Sequence, residues 1–402
     1  MKISGIKISQ AEARRAALMS QGLLHKNPFG LGLSAVHQTI AQLGYIQIDT
    51  ISVVERAHHH VLHSRIDNYH PDMLHQLQSQ EHRLFEYWSH AAAYLPMDDY
   101  RFYLPVMKGY KDKKKVDLKW RKEVLARIKS EGPLQSRDFE NLPGKKSDGW
   151  WDWKPAKMAM ESLFLAGELL IKERRGFQKV FDLPENVIPD NVDKRWPSLE
   201  ERGQFYIRNM LNAHGIATAR QIAYNRAIVR RLSGHNIQVD IDRELRNMVE
   251  EGEVVQMYLG EELVYCLADT LPLLSKKMGT KRIRFLSPFD NLVINRQRLT
   301  DIFNFDYLIE CYVPSKKRKF GYFTLPMLYG DKLIGRIDCK ADRKNATLQV
   351  HNIWLEEKTS LSDRLISALN RGLIEYSRKL NCDKITLSQT DNPKLKKALH
   401  FS

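Results

Sequence analysis

The side chains best suited to chemistry stand in one short run, Tyr45-Ile46-Gln47-Ile48-Asp49-Thr50-Ile51-Ser52. Its strict alternation sends Ile46, Ile48 and Ile51 toward a core. Gln47 and Asp49 go together to the opposite face, because strand side chains alternate with a period of two. A carboxylate can take a proton from water or stabilise a developing positive charge, and an amide beside it can hold that water by donating and accepting at once. The same pattern also fits an edge strand with a solvated polar face. Just beyond it, Glu55-Arg56-Ala57-His58-His59-His60, followed by His63, has the composition of a metal site. Read as extended chain, however, adjacent residues point to opposite faces, so three consecutive histidines do not converge on one ion without a sharp kink. No metal is expected.

These residues need elements to hold them. Ser9 is a good N-cap for a helix over Gln10 to Met19, and Gln21-Gly22 marks its end. A second helix, Leu33 to Leu43, has Val36, Ile40 and Leu43 on one face, and Gly44 ends it immediately before the Gln47/Asp49 strand. Two short helices delivering a strand is how a winged helix begins. His58 to Arg65 reads as extended chain, and Pro71 opens a helix at Asp72 to Gln80. Phe85 to Tyr94 brings Tyr87, Trp88 and His90 near an apolar stretch, as core or as pocket residues. The basic run Lys111 to Lys122 marks a boundary.

Past that boundary one pattern occurs twice. Helix Trp120 to Glu131, a turn, helix Pro155 to Ala166 and Gly167-Glu168 lead into a hairpin ending at Asp182. Helix Leu199 to His214, a turn, helix Arg243 to Glu250 and Gly252-Glu253 lead into a hairpin ending at Leu267. Each copy has the order of a winged helix. The first hairpin carries Lys172, Arg174, Arg175 and Lys179, a composition suited to phosphate. The second, with Met257, Tyr258 and Leu259 before an acidic tip, better suits insertion between bases. After Lys276-Lys277 the texture changes to short alternating strands at Arg282 to Leu286, Leu308 to Val313, Phe320 to Met327, Lys332 to Cys339 and Thr347 to Trp354, which reads as an antiparallel sheet or small barrel. Lys316-Lys317-Arg318-Lys319 precedes one of these strands and could clamp phosphate. A final helix, Ser362 to Leu380, shows Leu365, Leu369, Leu373 and Tyr376 on one stripe.

At 402 residues the chain is too long for one typical core, and its formal charge of +15 favours a polyanionic partner such as nucleic acid. Cys266, Cys311, Cys339 and Cys382 form no paired motif and read as small buried hydrophobes in a reducing compartment. Neither a signal peptide nor a membrane-spanning run is evident, so a soluble cytoplasmic protein is expected.

Three runs carry a resemblance: GYIQIDTISVVERAHHHVLHSR (Gly44 to Arg65), FEYWSHAAAYLP (Phe85 to Pro96) and LSPFDNLV (Leu286 to Val293). They resemble the winged-helix DNA glycosylases of the AlkZ/YcaQ type, which excise alkylated purines and unhook interstrand crosslinks. The likeness is to the YcaQ branch, whose motif reads Gln-apolar-Asp as Gln47-Ile48-Asp49 does here; the AlkZ branch has Gln in both polar places. It runs through essentially the whole chain. The resemblance implies an α+β chain with winged helices at 1–115, 116–192 and 193–278, followed by a C-terminal antiparallel β-barrel with a final helix at 279–402. It implies Asp49 as general base or oxocarbenium stabiliser, with Gln47 positioning water. Contacts to phosphate or to the damaged base fall to Arg56, His58, His59 and Arg65, and a hairpin of the third winged helix probes DNA. No lysine nucleophile is evident, so a monofunctional hydrolase working as a monomer on DNA without a cofactor is expected. The charge and the repeated modules would equally suit a non-enzymatic winged-helix regulator or architectural protein. A nuclease is disfavoured, since no carboxylate cluster suited to paired metals is visible.

Overall fold

Ser9 does cap the first helix, Gln10–Ser20, in a reciprocal capping box with Glu12. This computed structural model describes residues 5–113, 118–139, 153–224, 237–276 and 281–401. The module boundaries expected at 115/116 and 278/279, and part of the Lys111 to Lys122 run, lie outside the described residues.

Three helix-and-hairpin units follow one plan. In the first, Gly32–Leu43 leads to the short strand Ile46–Gln47, the helices Ala57–His63 and Pro71–Ser79, and the hairpin Leu84–Trp88/Ala92–Pro96. In the second, Leu118–Glu131 and Trp153–Leu165 precede the hairpin Leu170–Arg175/Gln178–Asp182. In the third, Leu199–His214, Ala219–Ile222 and Ile237–Glu250 precede Val254–Leu259/Glu262–Leu267. Each time, the segment after the first helix pairs with the second hairpin strand: Ile46 with Tyr94, Leu134 with Phe181, and Ala217 with Tyr265. The units are not separate globules, because one apolar cluster runs through Phe85, Leu95, Leu163, Phe181, Ile207 and Val254.

The opening of the chain joins the third unit, not the first. Ile6–Ile8 pairs in parallel with Val254–Leu259, and Gln10–Ser20 packs on Leu199–His214 and on Arg296–Phe303. Segment His58 to Arg65 is not extended: Ala57–His63 is helical. The strand Leu308 to Val313 does not form either. There the Glu310 carboxylate turns back to accept from the N–H groups of Lys319, Phe320 and Gly321, bracing a loop where the alternation promised a ladder.

The C-terminal sheet runs Lys384–Leu387, Thr347–Leu355, Lys332–Asp342, Thr324–Tyr329, Ile283–Phe285. Its two outer strands do not pair with each other, so it is a curled half-barrel and not the closed barrel expected. Bulges at Met327/Leu328 and Asp338/Cys339 bend it. Nor is it wholly antiparallel. Lys384–Leu387 lies parallel to Thr347–Leu355 because the helix Asp363–Lys379 between them serves as the crossover a parallel pair requires. That helix buries Leu365, Leu369, Leu373 and Tyr376, the stripe read from the sequence. Among the described residues no helix is long and apolar enough to cross a membrane.

Candidate active site

Gly44 caps Gly32–Leu43 in the left-handed conformation, with φ 74°. A Cβ there would collide with the Asn209 side chain, so the chain turns sharply between two helices into Ile46–Gln47. Ile48 extends the pairing by one bond, its N–H donating to the Ala92 carbonyl at 2.7 Å. The strand then stops, because Asp49 Oδ1 accepts from the Ile51 N–H at 2.8 Å in a local turn.

Gln47 and Asp49 nevertheless meet as the alternation requires. Gln47 Nε2 lies 3.4 Å from Asp49 Oδ2, and His90 Nε2 lies 3.0 Å from Gln47 Oε1. An amide oxygen only accepts, so the His90 nitrogen carries the hydrogen and the amide NH2 is turned toward the carboxylate. Gln47 is 7% exposed and Asp49 half-buried, which is not the solvated face of an ordinary edge strand. The sequence brought His90 into view without a role. The signal that could have assigned one is its place in the turn of the hairpin that pairs with the Gln47 strand.

Support comes from far along the chain. Asn291 donates to the carbonyls of Tyr45 at 3.0 Å and Leu43 at 3.4 Å, directly ahead of the pair. Behind it, the Ala341 N–H donates to Val53, and Arg343 donates to Ser52 and Val54. The segment from Tyr45 to Val54 is thereby tied to the C-terminal half of the chain.

The other expected site residues divide sharply. Arg65 is fully buried, paired with Asp290 at 2.7 Å, so it has no face left for a phosphate. Arg174 is likewise closed off, with Nε and Nη2 donating to the two Glu86 oxygens at 2.7 Å, Nη1 donating to the Phe177 carbonyl and its plane over the Phe177 ring. Arg175 is exposed but faces Glu173, while Lys172 meets Asp182 and Lys179 meets Glu161. Every cation of that hairpin thus answers a carboxylate, which composition could not reveal. Met257 is fully buried in the sheet beside Ile6 and Val264, and Leu259 packs on the same cluster. Of the expected wedge residues only Tyr258 presents an exposed ring. Lys316, Lys317 and Lys319 project from a surface loop and make no ion pair among the described residues.

Arg56 lies over the Phe177 ring at 4.1 Å. On the helix that follows it, successive side chains are swept about 100° apart, so the histidines diverge. His58 stacks on Phe177, His59 Nδ1 meets the Tyr69 hydroxyl at 2.6 Å, and His60 Nε2 donates to the Phe285 carbonyl at 2.8 Å. Among the described residues no group of three or more metal-ligand side chains gathers. Burial holds His58 well below the usual imidazole value of 6.5 and takes His59 and His60 down to about 4 and His63 to about 3. Unfolded, these rings take up protons near pH 6.5; folded, they stay neutral to about pH 4 or below. Stability is therefore intact above pH 6.5 and falls as the pH drops from there toward 4. Urea denaturation at about pH 7 and about pH 5 measures this, and equal midpoints would refute it.

The family described as DNA glycosylase AlkZ-like matches residues 40–378. The chain belongs to the AlkZ-like DNA glycosylase family. The DNA glycosylase AlkZ of Streptomyces sahachiroi has the same fold, with a TM-score of 0.62 at 15% sequence identity over 96% of this chain and 100% of that one. In this AlkZ-like chain the matched span opens just ahead of Gln47 and closes within the helix Asp363–Lys379, so it takes in the pair, His90 and the buried Arg65–Asp290 contact. A DNA glycosylase acts on the N-glycosidic bond of DNA, and DNA is the substrate class the family brings with it.

Proposed function

We propose that this chain is a monofunctional DNA glycosylase of the YcaQ branch, which hydrolyses the N-glycosidic bond of N7-alkylated purines, unhooks interstrand crosslinks and leaves abasic sites. The observation that carries the reading is the file of His90, Gln47 and Asp49, an oriented amide between an imidazole and a half-buried carboxylate in a chain of this family. An N7-alkylated purine already carries positive charge. It departs as a neutral base with the bonding electron pair, leaving an oxocarbenium sugar. Asp49 opposes that charge and takes the proton of the water that attacks the anomeric carbon; Gln47, fixed by His90, orients the water. No lysine is needed as nucleophile.

DNA would be carried by the exposed loop cations Lys316, Lys317 and Lys319 with Arg318, by Arg56 and His59 near the pair, and by Arg175 and Tyr258 on the second and third hairpins, whereas His58, sealed against Phe177, has no face left for DNA. Pairing of the short inter-helix segment with the second hairpin strand in all three units supports reading them as winged helices, with the divisions at about 115, 192 and 278 given above. Incubating the protein with a duplex carrying one N7-methylguanine, or a nitrogen-mustard crosslink, should yield free base and an alkali-labile abasic site. Tight binding with no base release would leave a winged-helix regulator instead.

A further inference from the structure

The loop between residues 308 and 322 presents Leu308 at 61%, Tyr312 at 78% and Tyr322 at 41% exposure. No other stretch of that length among the described residues leaves three large apolar side chains so open. The loop is nonetheless well braced. Glu310 ties its far end through three backbone N–H groups at 2.8–2.9 Å, and Arg318 Nε donates to the Val313 carbonyl at 2.9 Å while its guanidinium covers Tyr322 at 4.9 Å. Such a loop does not leave a ring outside the core through slackness. Among the described residues Tyr312 is the most exposed of the large apolar side chains, and the cations Lys316, Lys317 and Lys319 follow within the same loop.

The same loop shares an apolar support with the segment that carries Asp49. Ile51, two residues after Asp49, and Ile309, three before Tyr312, pack against one apolar cluster that includes Phe289 and Phe323. Partial desolvation where the Cys311 thiol and the Tyr312 hydroxyl meet pushes both groups up, and the Asp49 charge adds to it at both, so the carboxylate is within electrostatic reach of the loop. Exposed aromatic rings interleaved with unpaired cations form a surface for a nucleotide: every base offers a π-face to stack on, and phosphates answer the cations.

We propose that Tyr312 is the stacking platform for the nucleobase presented to Asp49, with Lys316, Lys317 and Lys319 on the adjoining phosphates. The inference rests on the glycosylase reading and adds to it the group that recognises the base. The ring touches the base, not the sugar, so its contribution is specific to DNA that still carries the base.

The test compares wild type, Tyr312→Ala, Tyr312→Phe and Tyr312→Trp on two duplexes. One carries 2′-fluoro-N7-methylguanosine, which resists base loss, and the other a tetrahydrofuran abasic mimic at the same place. Tyr312→Ala should weaken binding to the first by about 5- to 150-fold and leave the second unchanged, while Phe and Trp retain wild-type affinity. Equal loss on both duplexes, or no loss on either, overturns the platform. Thermal melts of the variants should match wild type, since so exposed a ring does little for folding. Base release by the wild type is followed in parallel on unfluorinated DNA. Its absence would remove the glycosylase reading, whereas release together with an indifferent Tyr312→Ala would remove only the platform.

Discussion

Asp49→Asn is expected to slow single-turnover release of N7-methylguanine by about 10²- to 10⁴-fold, the usual contribution of a positioned general base. DNA affinity should stay within about twofold, because asparagine is isosteric and adds no steric clash. The substitution isolates the chemistry well. Asp49 Oδ1 accepts from the Ile51 N–H, and an asparagine oxygen can still accept there, so the turn that ends the strand survives. What is lost is the negative charge and the proton acceptor next to the Gln47 amide. The effect should appear in the rate constant at saturating protein, not in the protein concentration needed for half-saturation. A rate within threefold of wild type would sink the mechanism, because no other carboxylate has been assigned to the pair. Gln47→Ala should fall in the same direction by a smaller factor, since it removes the orientation of the water and leaves the base.

Much of this site could be read from local pattern, because local pattern fixed it. Gly44 after an apolar-striped helix stops that helix, and the alternation of Ile46, Gln47, Ile48 and Asp49 does bring amide and acid together. Ser9, Pro71 and Ser362 begin helices for reasons contained within a turn of chain. The failures share a different cause. Whether a cation is free depends on what folds against it, and no window of sequence around Arg65 or Arg174 contains Asp290 or Glu86. His58 to His63 became helical with no apolar periodicity to announce it, because groups from three distant segments, the Phe177 ring, the Phe285 carbonyl and the Tyr376 ring, meet the histidines. The strand expected at Leu308 to Val313 hid Tyr312 in the same way. Alternation there predicts a paired ring, and only the distant N–H groups gathered by Glu310 turn the segment into a loop.

The buried pair that disappointed as a phosphate contact should instead dominate stability: Asp290→Ala is expected to cost about 3–5 kcal/mol, measured as a lowered urea midpoint. Arg65 has its side chain sealed from solvent, and Asp290 meets it through both oxygens, at 2.7 and 3.0 Å. Removing the acid strands a guanidinium that retains only the carbonyls of Gln21 and Val61 and the Gln21 and Ser64 side chains. It also takes the acceptor from the Leu292 N–H. Asp290→Asn, which keeps that acceptor and loses the charge, should lie between wild type and alanine. Replacing both partners with apolar residues, Arg65→Met with Asp290→Leu, should recover much of the loss, since the penalty comes from one unanswered charge and not from the absence of a pair. If the single and double variants are equally unstable, packing at the site matters more than charge. Activity should fall with the single substitution even below the unfolding range, because Asn291, next in the chain, holds the Leu43 and Tyr45 carbonyls that aim Gln47 at Asp49. The ion pair thus acts on the reaction through the backbone it anchors, at a distance from any DNA phosphate.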